Sequence, residues 1–276
     1  MKNKFNNLAI IGGDNHLPIH AYKSVKKKFK EFIYINISKK NKSLLKSSIN
    51  TYHLEIHELE RCINILKNHN ISQICFLGSL NRPDFSSLKI DDTLKKYIND
   101  LINSSKIGDG NILNVIINIF DKEGFFTRSF IEVFANEYLL DKEFNKITDK
   151  DKNDINKGVS ILNSLSKYDN AQSCAISNGY VLAIEAVEGT DKMISRIRSI
   201  KKKISRDLIE GCLIKIPKKN QNLKIDLPTV GVKTLEMMFK NKLNVLALRK
   251  DYTIVVEKKK FYRSLAKYNI SLSFIN

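Results

Sequence analysis

Short apolar runs and runs of helical period alternate along the first half of the chain. LAII (Leu8 to Ile11), FIYINI (Phe32 to Ile37) and ICFLG (Ile74 to Gly78) read as buried strands, with helical patterns from about Leu17 and across Leu54 to Leu66 between them. In the second helix Ile56, Leu59, Ile63 and Leu66 recur at steps of three and four, one apolar stripe to set against a sheet. The order βαβαβ predicts a parallel sheet. A further helical run from Ile112 to Phe120 ends at Gly124, and a lysine- and asparagine-rich stretch follows near Asp141 to Asn156. The domain boundary therefore falls between about 125 and 150, dividing the chain into 1–135 and 136–276.

The second half opens with a helix (Ile155 to Leu165) and then CAIS, Asn178-Gly179, YVLAIEA: two extended runs joined by the dipeptide that suits a type I′ hairpin turn. A helix from about Asp191, a strand CLIKI, a helix from about Thr229, strands near Val245 to Leu248 and at TIVVE, a last helix and a terminal ISLSFI complete it. The expected fold class is α/β with two α/β domains, the first Rossmann-like with a parallel sheet, the second a mixed sheet with helices.

With 276 residues, 42% of them apolar, the chain can bury an ordinary core. It has no apolar run of about eighteen residues, and its amino terminus lacks a signal-peptide core, so a cytosolic protein is expected. The four cysteines, Cys62, Cys75, Cys174 and Cys212, are dispersed and read as reduced and buried. Lysine and arginine (47) exceed aspartate and glutamate (29) by 18. The imbalance suits an anionic partner: nucleic acid, a phosphate-bearing small molecule or an acidic membrane surface. A lysine-favouring codon bias would produce the same excess, so charge alone decides nothing. A nucleic-acid platform is disfavoured, since no aromatic residues interleave with the basic clusters.

Candidate chemistry sits at the ends of the predicted strands. Gly12-Gly13-Asp14-Asn15 follows the first strand and precedes a helix, where backbone N–H groups can meet a phosphate or a sugar, or simply make a tight turn. Gly78-Ser79 and Arg82 follow the third predicted strand, at the carboxyl edge where open α/β sheets bind ligands. Asp109 opens a helix as ligand or as N-cap. In IEAVEGTD (Ile184 to Asp191), alternation sends Glu185 and Glu188 to opposite faces if the strand continues. Gly189-Thr190-Asp191 then turns into a helix, offering a hydroxyl, a carboxylate and N–H groups suited to a phosphate with Mg²⁺. Asp226, set among Ile225, Leu227 and Pro228 and followed by Thr229, needs a partner such as a metal, a water or Lys215. His53/His57 and His16/His20 do not complete a zinc pattern.

FLGSLNRPDF, KIGDGNIL, VLAIEAVEGTD and KIDLPTVGVKTL, in that order, closely resemble the UDP-2,3-diacylglucosamine pyrophosphatases of the DUF1009 type over nearly the whole chain. The resemblance implies hydrolysis of UDP-2,3-diacylglucosamine to UMP and 2,3-diacylglucosamine 1-phosphate in lipid A biosynthesis, with Mg²⁺ at the junction of two α/β domains. It implies Asp226 as the catalytic residue, Asp226 and Asp191 as metal donors, and substrate contacts from Gly12, Gly13, Asn15, Gly78, Ser79, Arg82, Asp109, Glu188, Gly189, Thr190, Lys215 and Thr229. A lipid substrate implies a cytoplasmic protein bound peripherally to the anionic inner-membrane face, with no nucleic-acid partner; monomer or homodimer stays open. Asn15, Ser79 and Gly110 depart from the residues usual in that family, which leaves a catalytically weakened nucleotide-sugar or lipid-binding homologue as the alternative.

Overall fold

The computed structural model describes residues 7–28, 32–45, 50–79, 91–107, 109–204, 210–219 and 221–275. Arg82 and the side chain of Asp109 lie outside the described residues. The chain forms two compact units: Met1–Val133 with Lys224–Asp226, and Phe134–Leu223 with Leu227–Asn276.

In the first unit the elements are β1 (Leu8–Gly12), α1 (Leu17–Lys28), β2 (Ile33–Asn36), β3 (Thr51–His53), α2 (Leu59–Asn68), β4 (Gln73–Leu77), α3 (Asp92–Lys95), α4 (Ile98–Ile107), α5 (Asp109–Lys122) and β5 (Phe126–Thr127). The five strands pair in the order β3-β2-β1-β4-β5, every pairing parallel. β1 and β2 are buried at every position, as the uninterrupted apolar runs of a sheet covered on both faces require. The strand order reverses between β1 and β4, which makes the carboxyl ends of those two strands the place to look for a ligand.

One element here departs from the sequence reading. Residues 51–53 are a strand paired with β2, Ile35 opposite Tyr52, and the helix expected from Leu54 starts only at Leu59. Ile56 consequently sits outside the helix and is exposed, while Leu66 and Ile63 carry the apolar face. A three-residue strand beside a helical stripe has too short a period-two signal to stand out.

The second unit comprises α6 (Phe130–Tyr138), which begins in the first, then α7 (Asp149–Leu165), β6 (Ser173–Ser177), β7 (Tyr180–Ile184), α8 (Gly189–Ile204), β8 (Cys212–Lys215), β9 (Thr229–Val230), α9 (Val232–Lys240), β10 (Val245–Arg249), β11 (Ile254–Val255), α10 (Lys258–Tyr268) and β12 (Ser271–Ile275). Its main sheet runs β12-β10-β8-β6-β7, with β12, β10 and β8 parallel and β6 antiparallel to both neighbours. Alternation along β8 sends Leu213 to a core shared with Met193, Ile194 and Ile197 of α8, and Cys212 and Ile214 to one shared with Ile155 and Leu162 of α7. Gly158 lets α7 approach the sheet, since a Cβ there would lie 2.8 Å from Ile214 Cδ1.

The Asn178-Gly179 turn forms as read, with φ of 53° and 77° at its two residues. The carboxylate of Asp154, buried on α7, accepts the N–H groups of both turn residues (2.9 and 2.7 Å), which ties the hairpin to the helix. Three boundaries move. β7 ends at Ile184, so Glu185 and Glu188 lie beyond the strand and the alternation argument does not apply to them. α7 starts at Asp149 rather than Ile155 because Thr148 and Asp151 form a reciprocal capping box. Thr229 begins no helix: it lies in β9, where it pairs with Ile254, and α9 starts at Val232. All four cysteines are free and buried. Among the described residues no helix is long and apolar enough to cross a membrane.

Candidate active site

Because β6 is antiparallel to both β7 and β8, the strands β7, β8, β10 and β12 all end on one edge of the second sheet. Lys215 closes β8 there, Glu185 follows β7, and Ser173 opens β6 opposite Lys215 in register. Gly189, with φ of +79°, turns the chain into α8 and sets Thr190 and Asp191 in its first turn.

Each carboxylate of the EAVEGTD stretch meets a defined partner. Glu185 accepts the Ser173 hydroxyl at 2.6 Å and the Thr190 hydroxyl at 3.1 Å. Thr190 Oγ1 in turn accepts a hydrogen bond from the buried Lys215 ammonium at 2.7 Å. Glu188 lies 2.9 Å from Arg196, which also donates to the Ile184 carbonyl at the end of β7. Asp191 pairs with Lys233 of α9 at 2.7 Å, and that bond holds the Lys233 ammonium above its ordinary pKa. The Asp191–Lys233 pair is solvated and contributes little to stability, so both charges stay open to a ligand at small cost.

In the first unit the turn Gly12 to Asn15 is woven into the sheet edge. The N–H groups of Gly13 and Asp14 donate to the carbonyls of Leu77 and Ser79, and Ser79 N–H returns to Asp14. Asn15 adopts φ of +77°, the left-handed conformation asparagine tolerates, and its side chain caps α1 by accepting the Leu17 N–H at 2.9 Å. Asn41, buried, donates to the carbonyls of Gly13 and Asn15, and Ser38 donates to the Asp14 carboxylate at 2.5 Å. Gly12 leaves room for Tyr34, whose hydroxyl would lie 2.1 Å from a Cβ at that position. Asn36 Nδ2 donates to the Ser38 carbonyl and faces His53 Nδ1 at 3.2 Å, so that nitrogen accepts. Burial, and then the nearby Lys42 charge, pull His53 below its ordinary pKa and favour the neutral ring.

Asp226 is partly buried in the stretch Ile225-Asp226-Leu227, and Lys224–Asp226 packs with the first unit. Lys224 Nζ stands 5.2 Å from the centroid of the half-exposed Phe126 ring, which Arg128 also covers at 4.4 Å. On the other side of Asp226, the Pro228 carbonyl accepts the Ile254 N–H (2.8 Å), so the segment is held at both ends. Phe126, Ser38, Asn41, Ser173, Arg196 and Lys233 carry no local sequence signal; only pairing across the folded chain singles them out.

Residues 7–136 match the family model described as the LpxI N-terminal domain, and residues 142–273 the LpxI C-terminal domain. The chain is 30% identical over 237 residues to a protein of Caulobacter vibrioides named UDP-2,3-diacylglucosamine pyrophosphatase LpxI, covering 83% of this chain and 82% of that relative. Both domains and the sequence spanning them thus agree on one assignment: this chain belongs to the LpxI family.

Proposed function

We propose that this protein hydrolyses the diphosphate of UDP-2,3-diacylglucosamine to UMP and 2,3-diacylglucosamine 1-phosphate, with Mg²⁺ as cofactor. The observation that carries the reading is identity at 30%, across more than four-fifths of the chain, with a relative named for that pyrophosphatase activity. The residues support it chemically. Lys215 and Thr190 present an oriented ammonium and hydroxyl at a carboxyl sheet edge beside a helix amino terminus, a suitable arrangement for phosphate oxygens. Asp226 activates or positions the attacking water in this reading. Glu188 acts through its pairing with Arg196.

Among the described residues no three His, Cys, Asp or Glu side chains cluster to enclose a cation. Mg²⁺ does not require such a cage, because it keeps several waters and takes one or two carboxylates plus phosphate oxygens. Asp191, at the start of α8 and 45% exposed, fits that donor requirement, and Asp226 is the second carboxylate that the family resemblance assigns. When bound, Mg²⁺ would neutralise phosphate charge and polarise the phosphorus.

Incubation with UDP-2,3-diacylglucosamine, detergent and Mg²⁺ is expected to release UMP, chelation with EDTA to stop release, and added Mg²⁺ to restore it. In ¹⁸O-water the label should appear in the diacylglucosamine 1-phosphate. Substrate retention without UMP would instead identify a binding homologue.

The excess of basic residues, with the lipid substrate, also supports peripheral binding to anionic membrane. Sedimentation with phosphatidylglycerol-containing liposomes is expected to weaken steeply between low and about 1 M salt, where screening lengths fall to roughly 3 Å. Salt-independent binding would point to apolar insertion instead.

A further inference from the structure

The buried Lys215 ammonium, the Thr190 hydroxyl and the Glu185 carboxylate form a chain with only one consistent direction. A protonated lysine only donates, so Thr190 Oγ1 accepts from it and must send its single proton elsewhere. Glu185 Oε1 takes that proton at 3.1 Å. The carboxylate is itself held by Ser173, whose hydroxyl is 2.6 Å from Oε2, against 3.4 Å from Thr190 Oγ1, and by the Glu185 N–H bond to the Ser173 carbonyl. Ser173 is fully buried and lies opposite Lys215 in the β6–β8 register, so the sheet fixes both ends of the chain.

We infer that Glu185 and Ser173 are positioning residues: they lock the Thr190 hydroxyl as an acceptor and thereby hold the Lys215 ammonium at the sheet edge, aligned for a nucleoside diphosphate. This rests on the reading that Lys215 meets the diphosphate, but the relay itself is set by the hydrogen-bond geometry. Without the Glu185 charge, the Thr190 proton loses its anionic acceptor, the hydroxyl is no longer held in one orientation, and its bond from the Lys215 ammonium is less firmly fixed. Loss of that ordering opposes a second consequence of the substitution, relief of repulsion between Glu185 and the phosphates. The two hydroxyl bonds already offset the carboxylate charge, so ordering dominates.

The test is a double-mutant cycle on the full chain with Glu185→Gln and Lys215→Ala, reading UDP affinity by calorimetry, kcat and KM for UMP release, and melting temperature. Glu185→Gln is expected to weaken UDP binding about tenfold, the scale of one lost charge-assisted hydrogen bond. Its effect should nearly vanish in the Lys215→Ala background, because the interaction it supports is then already gone. A merely structural role would give additive losses that follow the melting temperature. UDP affinity unchanged or tighter in Glu185→Gln, or additive effects, would overturn the inference. Should Glu185→Gln fail to fold, Ser173→Ala, which removes only the far support, is expected to show a smaller loss of the same kind, and no loss overturns it. A wild-type protein that binds UDP with this coupling but releases no UMP would sink the hydrolytic reading and leave the relay standing.

Discussion

Replacing Asp226 with alanine is expected to lower UMP release by about 10²- to 10⁴-fold while the protein still folds and still retains substrate. The range is that of losing a positioned general base, and a direct role at the metal would push toward its upper end. Folding should survive because Asp226 is only partly buried and its segment is held by neighbours the substitution leaves intact: Lys224 against Phe126, and the Pro228 carbonyl bonded to Ile254. Substrate retention should survive because uridine, sugar and acyl contacts do not depend on one carboxylate, whose removal also relieves repulsion against the diphosphate. The checks are melting temperature, substrate co-elution and UMP release side by side. A folded variant turning over at more than about a tenth of the wild-type rate would contradict the catalytic assignment, since the weakest general-base contribution is already about a hundredfold. A loss confined to about 1 kcal/mol of stability would instead mark Asp226 as a local cap.

The largest effect on stability is expected at Gly78. Its φ is +87°, and a Cβ there would sit 2.5 Å from the Asp14 carbonyl oxygen and 2.6 Å from Pro18 Cγ. Neither neighbour can step aside easily. The Asp14 carbonyl is bonded to Ser79 N–H across the bridge that joins the ends of β1 and β4, and Pro18 belongs to the first turn of α1. Left-handed strain of about 1–2 kcal/mol and an overpacking cost of about 1–3 kcal/mol place Gly78→Ala near 3 kcal/mol of destabilisation. At about 2–4 °C per kcal/mol, the unfolding transition should drop by roughly 6–12 °C in scanning calorimetry. Gly189→Ala is the control: its φ is +79° but nothing lies within 4 Å of the added carbon, so only the strain of about 1–2 kcal/mol applies. Equal shifts for the two variants would show that the β1–β4 edge yields to the intruding methyl group.

What the sequence determined by itself was whatever neighbouring residues encode. Continuous apolar runs specified β1, β2 and β4, and helical stripes specified α1 and α5, because burial on one or both faces imposes a period on adjacent positions. Asn178-Gly179 specified the hairpin, because its two residues readily take positive φ. The motif stretches were also legible: EGTD stands at the start of α8, and DLPT runs into β9 ahead of α9. Only the tertiary structure decided where β7 stops, that Thr51–His53 pairs as an edge strand, and that Thr229 is drawn into pairing with Ile254 instead of starting a helix. It alone answered which groups the EAVEGTD carboxylates face: hydroxyls for Glu185, and the Arg196 and Lys233 charges for Glu188 and Asp191. Glu185 and Ser173 are 12 residues apart, and Thr190 and Lys215 are 25 apart. Lys224 meets Phe126 from a still more distant part of the chain. Such partners carry no period and no local propensity; they meet because strand register and helix placement bring them within hydrogen-bonding or ring-contact distance, and those are set by the packing of the whole unit.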